Sequence, residues 1–219
     1  MKKILFLLIL PSIFFSIEAN TNHIIYNGDL SDNKIYLTFD DGYTVENTIE
    51  ILDVLKYYDV PATFFMEGSF IKYNHSTVRR IADEQTLANH TMCHSDITKL
   101  SDYELVLDIL EYERLIKEIT GNDITKYFRP PMGIINKEKE RILYKKEYKI
   151  IYWGVKCYDY NRNYDRGVEY VVKEIVNNTH GGSIILLHTL TDSVPKALPQ
   201  IIKKLRDNGY VFSKLQDII

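Results

Sequence analysis

The chain alternates short apolar stretches with longer amphipathic ones. Residues 34–39 read "KIYLTF", a β-branched and aromatic run that stops at Asp40-Asp41-Gly42, a turn signal, and this predicts a strand. From 44 to 58 the apolar residues Val45, Ile49, Ile51, Leu52 and Leu55 recur near helical spacing and predict a helix. "PATFFM" (61–66) predicts a second strand, 76–84 a helix and 87–88 a short strand. The clearest helix is predicted over 101–121, where Ser101 and Glu104 have capping-box spacing and Gly121 stands at the C-terminal end. Further strands are predicted over 126–129, 149–155, 183–188 and 209–212, with helices over 137–146, 166–177 and 194–208 between them.

Roughly seven strands, nearly all separated by helices, argue for a parallel α/β architecture. An open doubly wound sheet and a closed barrel both fit this alternation. Neither a Gly-x-Gly-x-x-Gly turn nor a P-loop lysine follows any strand, which removes the usual nucleotide readings. The residues with chemical potential fall at strand C-terminal ends: Asp40 and Asp41, His90 and His94, Arg129, Asp159, His188. In a barrel of parallel strands those ends share one face. The distribution favours a barrel.

Composition adds bounds. With 219 residues, 45% hydrophobic and 26% charged, the chain has the makeup of one globular domain. Lys2 and Lys3, the apolar run Ile4–Ile17 and the small residue Ala19 predict a secretory signal peptide over 1–19, with an uncleaved membrane anchor as the alternative. Either implies export, to an extracellular, periplasmic or cell-wall location. Residues 20–33 are polar and read as a lead-in arm, so the domain is expected over 34–219. A formal net charge of −3 without a basic cluster speaks against nucleic acid as a partner. Two cysteines, Cys93 and Cys157, cannot form a disulfide scaffold, and one bond between them stays open.

Adjacent aspartates repel, and a strand end buried among apolar residues is a costly place for charge. "NHTMCH" (89–94) offers a partner: His90 and His94 are four apart, so a helical turn would put both imidazoles on one face. A catalytic zinc takes three protein ligands from His nitrogens and carboxylate oxygens and keeps one position open. One aspartate and two histidines supply that set, and the second aspartate is then free to act as a base. Two rival readings stand beside this one. A glycosidase with paired carboxylates would need another acid, since Asp40 and Asp41 are too close along the chain to flank a bond from opposite sides. A glycan-binding barrel without turnover would not need Asp40 or His188.

"TFDDG", "HTMCH", "FRPPMG", "YDY" and "LLH" occur in the order, and at about the spacing, of the five motifs of the NodB-type polysaccharide deacetylases (carbohydrate esterase family 4). The resemblance runs from about Ile35 to the C-terminus. Details such as "IYLTFDDGY" and "LLHTLTDSVPKALPQ" look most like the peptidoglycan deacetylases of the muramic-δ-lactam type. It implies a single-domain α/β fold, a distorted (β/α)7 barrel, acting as a monomer without a nucleotide on an acetylated amino-sugar polysaccharide. Peptidoglycan, through N-acetylmuramate or N-acetylglucosamine, is the leading substrate, and a chitin-type oligosaccharide the variant. The cofactor implied is a divalent metal ion, zinc, with cobalt or another divalent ion as alternatives.

Carried over by motif, the resemblance implies Asp41, His90 and His94 as metal ligands and Asp40 as general base. Arg129 would orient that base, His188 would be the general acid and Asp159 would hold it. Met132, through its backbone N–H, Tyr160 and Leu186 would surround the acetyl group. The scheme expects Arg129 and the metal to hold the Asp40 pKa down and Asp159 to raise that of His188. The chain departs from the family at Met132, at Tyr160 in place of tryptophan, and at Lys156, where many members carry an acid.

Overall fold

The computed structural model describes residues 23–218. The expected signal peptide and its cleavage point at Ala19 lie outside the described residues. Nine strands form one sheet: β1 (Ile24–Ile25), β2 (Lys34–Asp41), β3 (Ala62–Met66), β4 (Thr86–Asn89), β5 (Tyr127–Phe128), β6 (Lys149–Ile151), β7 (Val155–Lys156), β8 (Ile184–His188) and β9 (Val211–Phe212). Their order is β1-β6-β5-β4-β3-β2-β8-β7, with β9 on β2, and every pairing is parallel. Helices α1 (Val45–Tyr58), α2 (Gly68–Tyr73), α3 (His75–Glu84), α4 (Asp102–Thr120), α5 (Lys137–Lys145), α6 (Val168–Asn178) and α7 (Ser193–Asp207) lie between strands. This is the distorted (β/α) barrel the sequence predicts. No helix among the described residues is long and apolar enough to cross a membrane.

Strand periodicity builds two apolar layers. On β2, Ile35, Leu37 and Phe39 share a cluster with Ile51, Leu52 and Leu55 of α1 and Leu198, Ile201 and Leu205 of α7. The alternate residue Tyr36 packs with Phe65, Ala88, Ile151 and Ile184, which fill the barrel interior. The capping box of α4 is present as predicted, with the Ser101 side chain on the Glu104 amide and Gly121 closing the helix in a left-handed conformation, φ 76°.

Four features differ from the sequence reading, each for a tertiary reason. The arm over 20–33 contributes β1, whose Ile24 and Ile25 pair with Ile150 and Ile151, so the sheet begins before Lys34. Helix α2 was not expected; it starts at Gly68, where a Cβ would meet Met92. The strand predicted over 149–155 breaks into β6 and β7. Between them Tyr152 donates its N–H to the Ile25 carbonyl and Gly154 donates to the Ile184 carbonyl. The chain thereby passes from one sheet edge to the other and closes the barrel, with Gly154 so near the Asn27 side chain that no Cβ fits. Lastly, His90 to His94 is a loop rather than a helical turn.

Candidate active site

Asp40 and Asp41 end β2, and strand alternation turns them to opposite faces. Asp40 faces the barrel interior. Its Oδ1 accepts a 2.7 Å hydrogen bond from Arg129 Nη1. Arg129 follows β5 and is fully buried; its Nε and Nη2 donate to the Ile151 and Tyr152 carbonyls at 3.1 Å. These are the carbonyls at the break between β6 and β7, so the break that closes the barrel also seats the arginine. The guanidinium lies over the Phe65 ring at 4.0 Å. Burial pushes the Asp40 carboxyl up, but Arg129, then His90 and His188, outweigh it and hold it below the usual carboxylate range.

His188 ends β8 and is the ladder partner of Asp40. The buried Asp159 grips it twice: Oδ1 accepts from His188 Nδ1 at 2.8 Å and Oδ2 from the His188 amide at 2.7 Å. Nδ1 therefore carries a proton, and Nε2 is the nitrogen left for proton exchange. Burial pulls the His188 pKa down, and the Asp159 hydrogen bond and charge overcome it, so the group ends above its ordinary value. Both expected directions hold, the first through Arg129 with His90 and His188 behind it.

Asp41 faces outward, toward α1. Its Oδ1 accepts from Thr189 Oγ1 at 2.7 Å, and Thr48 Oγ1 lies 2.9 Å from Oδ2. Burial pushes its pKa up to about 6 against the pull of the two threonines. His90 and His94 come together, ring centroids 4.9 Å apart. Left-handed backbone at Thr91 (φ 69°) and His94 (φ 51°) folds the loop between them. His90 Nδ1 donates to the Arg129 carbonyl at 2.7 Å, which leaves Nε2 as a lone-pair nitrogen. That atom is buried without a hydrogen-bond partner, and its 3.6 Å approach to Asp40 Oδ2 is too long to count as one. Burial lowers the His90 pKa to about 4, so the imidazole is neutral near pH 7.

These donors fit a cation in chemistry: an orphaned imidazole nitrogen, a second imidazole beside it, and a buried carboxylate steadied by hydroxyl groups. Among the described residues, however, no three His, Cys, Asp or Glu side chains stand grouped as for a metal ion. Asp41, the expected carboxylate of that set, carries hydrogen bonds from Thr48 and Thr189.

Asp40, His94 and His188 open into one cavity of about 330 Å³, lined also by Tyr43, Met132, Trp153, Lys156, Tyr160, Leu186 and Leu190. Met132 sits in a tight turn with φ 59°, and Tyr160 meets the His188 ring edge-on at 6.0 Å. Cys93 is exposed and Cys157 buried, and both are free thiols. Sequence reasoning missed three supports. Thr48 and Thr189 carry no motif signal, although Thr189 follows His188 as Asp41 follows Asp40. Asp108 on α4 receives the Met92 amide with both carboxylate oxygens, 3.2 and 3.0 Å away, and so braces the loop between the histidines.

The strand ends of this parallel barrel hold a carboxylate clamped by arginine beside a histidine clamped by aspartate, and the fold and site together define a hydrolase. The chain belongs to the polysaccharide deacetylase family, whose model matches residues 27–151. It is 31% identical to the peptidoglycan-N-acetylmuramic acid deacetylase PdaA of Bacillus subtilis, over 89% of this chain and 74% of that protein. The PdaA structure superposes with a TM-score of 0.87, covering 90% of this chain and 85% of that one. A peptidoglycan-N-acetylglucosamine deacetylase of Bacillus cereus is 32% identical over 87% of this chain and 70% of its own. A CE4 family pseudoenzyme from Bacillus anthracis matches with a TM-score of 0.83 at 29% identity, over 89% of this chain and 68% of that one. The family's chemistry is hydrolysis of an amide bond.

Proposed function

We propose that this chain removes the N-acetyl group from an amino sugar of peptidoglycan, releasing acetate and leaving a free amine, with Asp40 as base and His188 as acid. The observation that carries this reading is the adjacency of Asp40 and His188 on the ladder, each with its own counter-charge. Asp40, kept ionised by Arg129, accepts the proton of the attacking water. His188, kept protonated by Asp159, delivers a proton through Nε2 to the departing nitrogen, which leaves poorly as an anion. The Met132 turn brings backbone to the cavity where the carbonyl oxygen gains charge. His90 and His94, with Asp41 as the carboxylate, would hold a divalent cation, zinc before cobalt or another ion. Bound there, it would supply Lewis acidity to water and carbonyl.

The basic start, apolar run and Ala19 support export to the cell wall, where such a glycan is found. The mild charge supports a glycan rather than a nucleic-acid partner, and nothing in the reaction calls for a second subunit. The test is to incubate the cation-loaded protein with peptidoglycan and with chitin-type oligosaccharide, then assay acetate and locate the freed amine by mass spectrometry. Acetate with an intact chain supports the reading. New reducing ends would mean a glycosidase, and binding without acetate a barrel that only holds glycan.

A further inference from the structure

A relay of polar side chains runs through the core to the histidine loop, and the reaction does not touch it. Its outer end is the ion pair of Lys126 and Glu113, 2.6 Å apart. Glu113, on α4, accepts the hydroxyl proton of Tyr148 at 3.0 Å. The Tyr148 hydroxyl in turn accepts from Asn89 Nδ2 at 3.4 Å, the longest link. Asn89 Oδ1 accepts the Thr91 amide at 2.8 Å, and Thr91 Oγ1 accepts the His94 amide at 3.0 Å. The polarity is forced from both ends. The Thr91 amide can only donate, so the Asn89 oxygen must face it and the Asn89 nitrogen is left for Tyr148. A carboxylate can only accept, so the tyrosine proton goes to Glu113 and an oxygen lone pair stays open to Asn89.

Packing does not account for this relay. Asn89 is fully buried and Tyr148 nearly so. The Tyr148 ring meets Phe128 edge-on and shares a cluster with Ile97, Leu105 and Ile150, where a phenylalanine would serve as well. What the hydroxyl adds is a partner for Asn89, and what Asn89 adds is a hold on Thr91. Thr91 is β-branched and has φ 69°, a conformation such residues rarely adopt. It turns the backbone between His90 and His94, so the meeting of the two imidazoles depends on that turn. We propose that Tyr148 is a positioning residue for the cation site: through Asn89 it keeps Thr91 in its left-handed turn and thereby fixes the spacing of His90 and His94. The inference rests on the cation reading above. Asp108 holds the same loop at the Met92 amide. Helix α4 thus supports the loop at two points, directly from Asp108 and through Tyr148 from Glu113.

The test is the zinc affinity of the full chain, measured by competition with a chromophoric chelator, beside the Tm of the zinc-free protein. Tyr148→Phe keeps the ring and should bind zinc about tenfold more weakly, with little change in the zinc-free Tm. Acetate release by this variant should recover at saturating zinc, since the deficit lies in zinc occupancy. Glu113→Leu should weaken zinc to a similar degree. Glu113→Gln, whose side-chain oxygen still accepts from Tyr148, should keep the wild-type affinity. Unchanged zinc affinity in Tyr148→Phe, whatever happens to its Tm, overturns the role of Tyr148. Equal losses in Glu113→Gln and Glu113→Leu overturn the relay. Wild-type protein that binds no zinc would instead overturn the cation reading itself.

Discussion

Asp40 and His188 are direct partners on the β2–β8 ladder, so the two groups that would exchange protons stand side by side on one face of the sheet. Left to themselves, a buried carboxylate and a buried imidazole would both shift toward neutrality. Arg129 prevents this for one and Asp159 for the other, and the two shifts open a pH window in which both are charged.

The first expected outcome is a bell-shaped pH profile of kcat/KM, whose acid limb reports the pair losing its carboxylate and whose alkaline limb the loss of the imidazolium. Since Asp159 raises the His188 pKa, Asp159→Asn should move the alkaline limb to lower pH and cut activity at pH 8 by about tenfold or more. An alkaline limb that stays in place would remove His188 from the acid role.

Arg129→Met should be costly to the fold as well as to the reaction. It strands the buried Asp40 charge and leaves the Ile151 and Tyr152 carbonyls without their donor. Loss of one partner of a buried pair costs about 3–5 kcal/mol. Adding Asp40→Asn removes the stranded charge, so the double variant should regain at least about 1 kcal/mol by urea unfolding while staying inactive. Additive destabilisation would show that the pair is not coupled.

Asp108 gives a stability test away from the reacting groups. Burial pushes its pKa up from 3.8 to about 6. A carboxyl raised in the folded state binds its proton more tightly there than in the unfolded chain. The cost of ionising it is therefore absent below about pH 4, grows between the two values and is complete above about pH 6. Asp108→Asn keeps an acceptor for the Met92 amide and removes the charge. It should stabilise by on the order of 2 kcal/mol at pH 7.5, with the gain fading by pH 4.5. A gain independent of pH would point to packing instead.

A divalent cation held by the two histidines would bind the folded chain alone. Zinc at about a hundred times its Kd should raise Tm by roughly 5–10 °C. The rise should be lost in His94→Ala, and chelator treatment of the wild type should reverse it. An equal shift in both proteins would place the ion elsewhere.

Much of this arrangement is legible from local sequence because its parts announce themselves locally. Helix α4 carries its own cap, and β2 its own punctuation at Gly42. Alternation along β2 also suffices to separate Asp40 from Asp41, as the motif resemblance does in giving one the base role and the other the ion. What stayed hidden depends on partners far along the chain. Two residues such as Ile24-Ile25 become a strand only because Ile150-Ile151 lie beside them. The His90–His94 spacing suits a helix, but Asp108 and two left-handed residues hold a loop. Thr189 could be assigned to Asp41 only once the β2–β8 register was known.

The closure at Gly154 ties the chain's first described strand to its catalytic floor. Asn27 fills the space beside Gly154, and Ile25 receives the amide of Tyr152, the same residue whose carbonyl holds Arg129. Proteolytic nicking between Ile25 and Lys34 would thus act like loosening the hoop of a cask: staves remain, but the arginine's seat widens and the carboxylate it steers drifts from its neighbour.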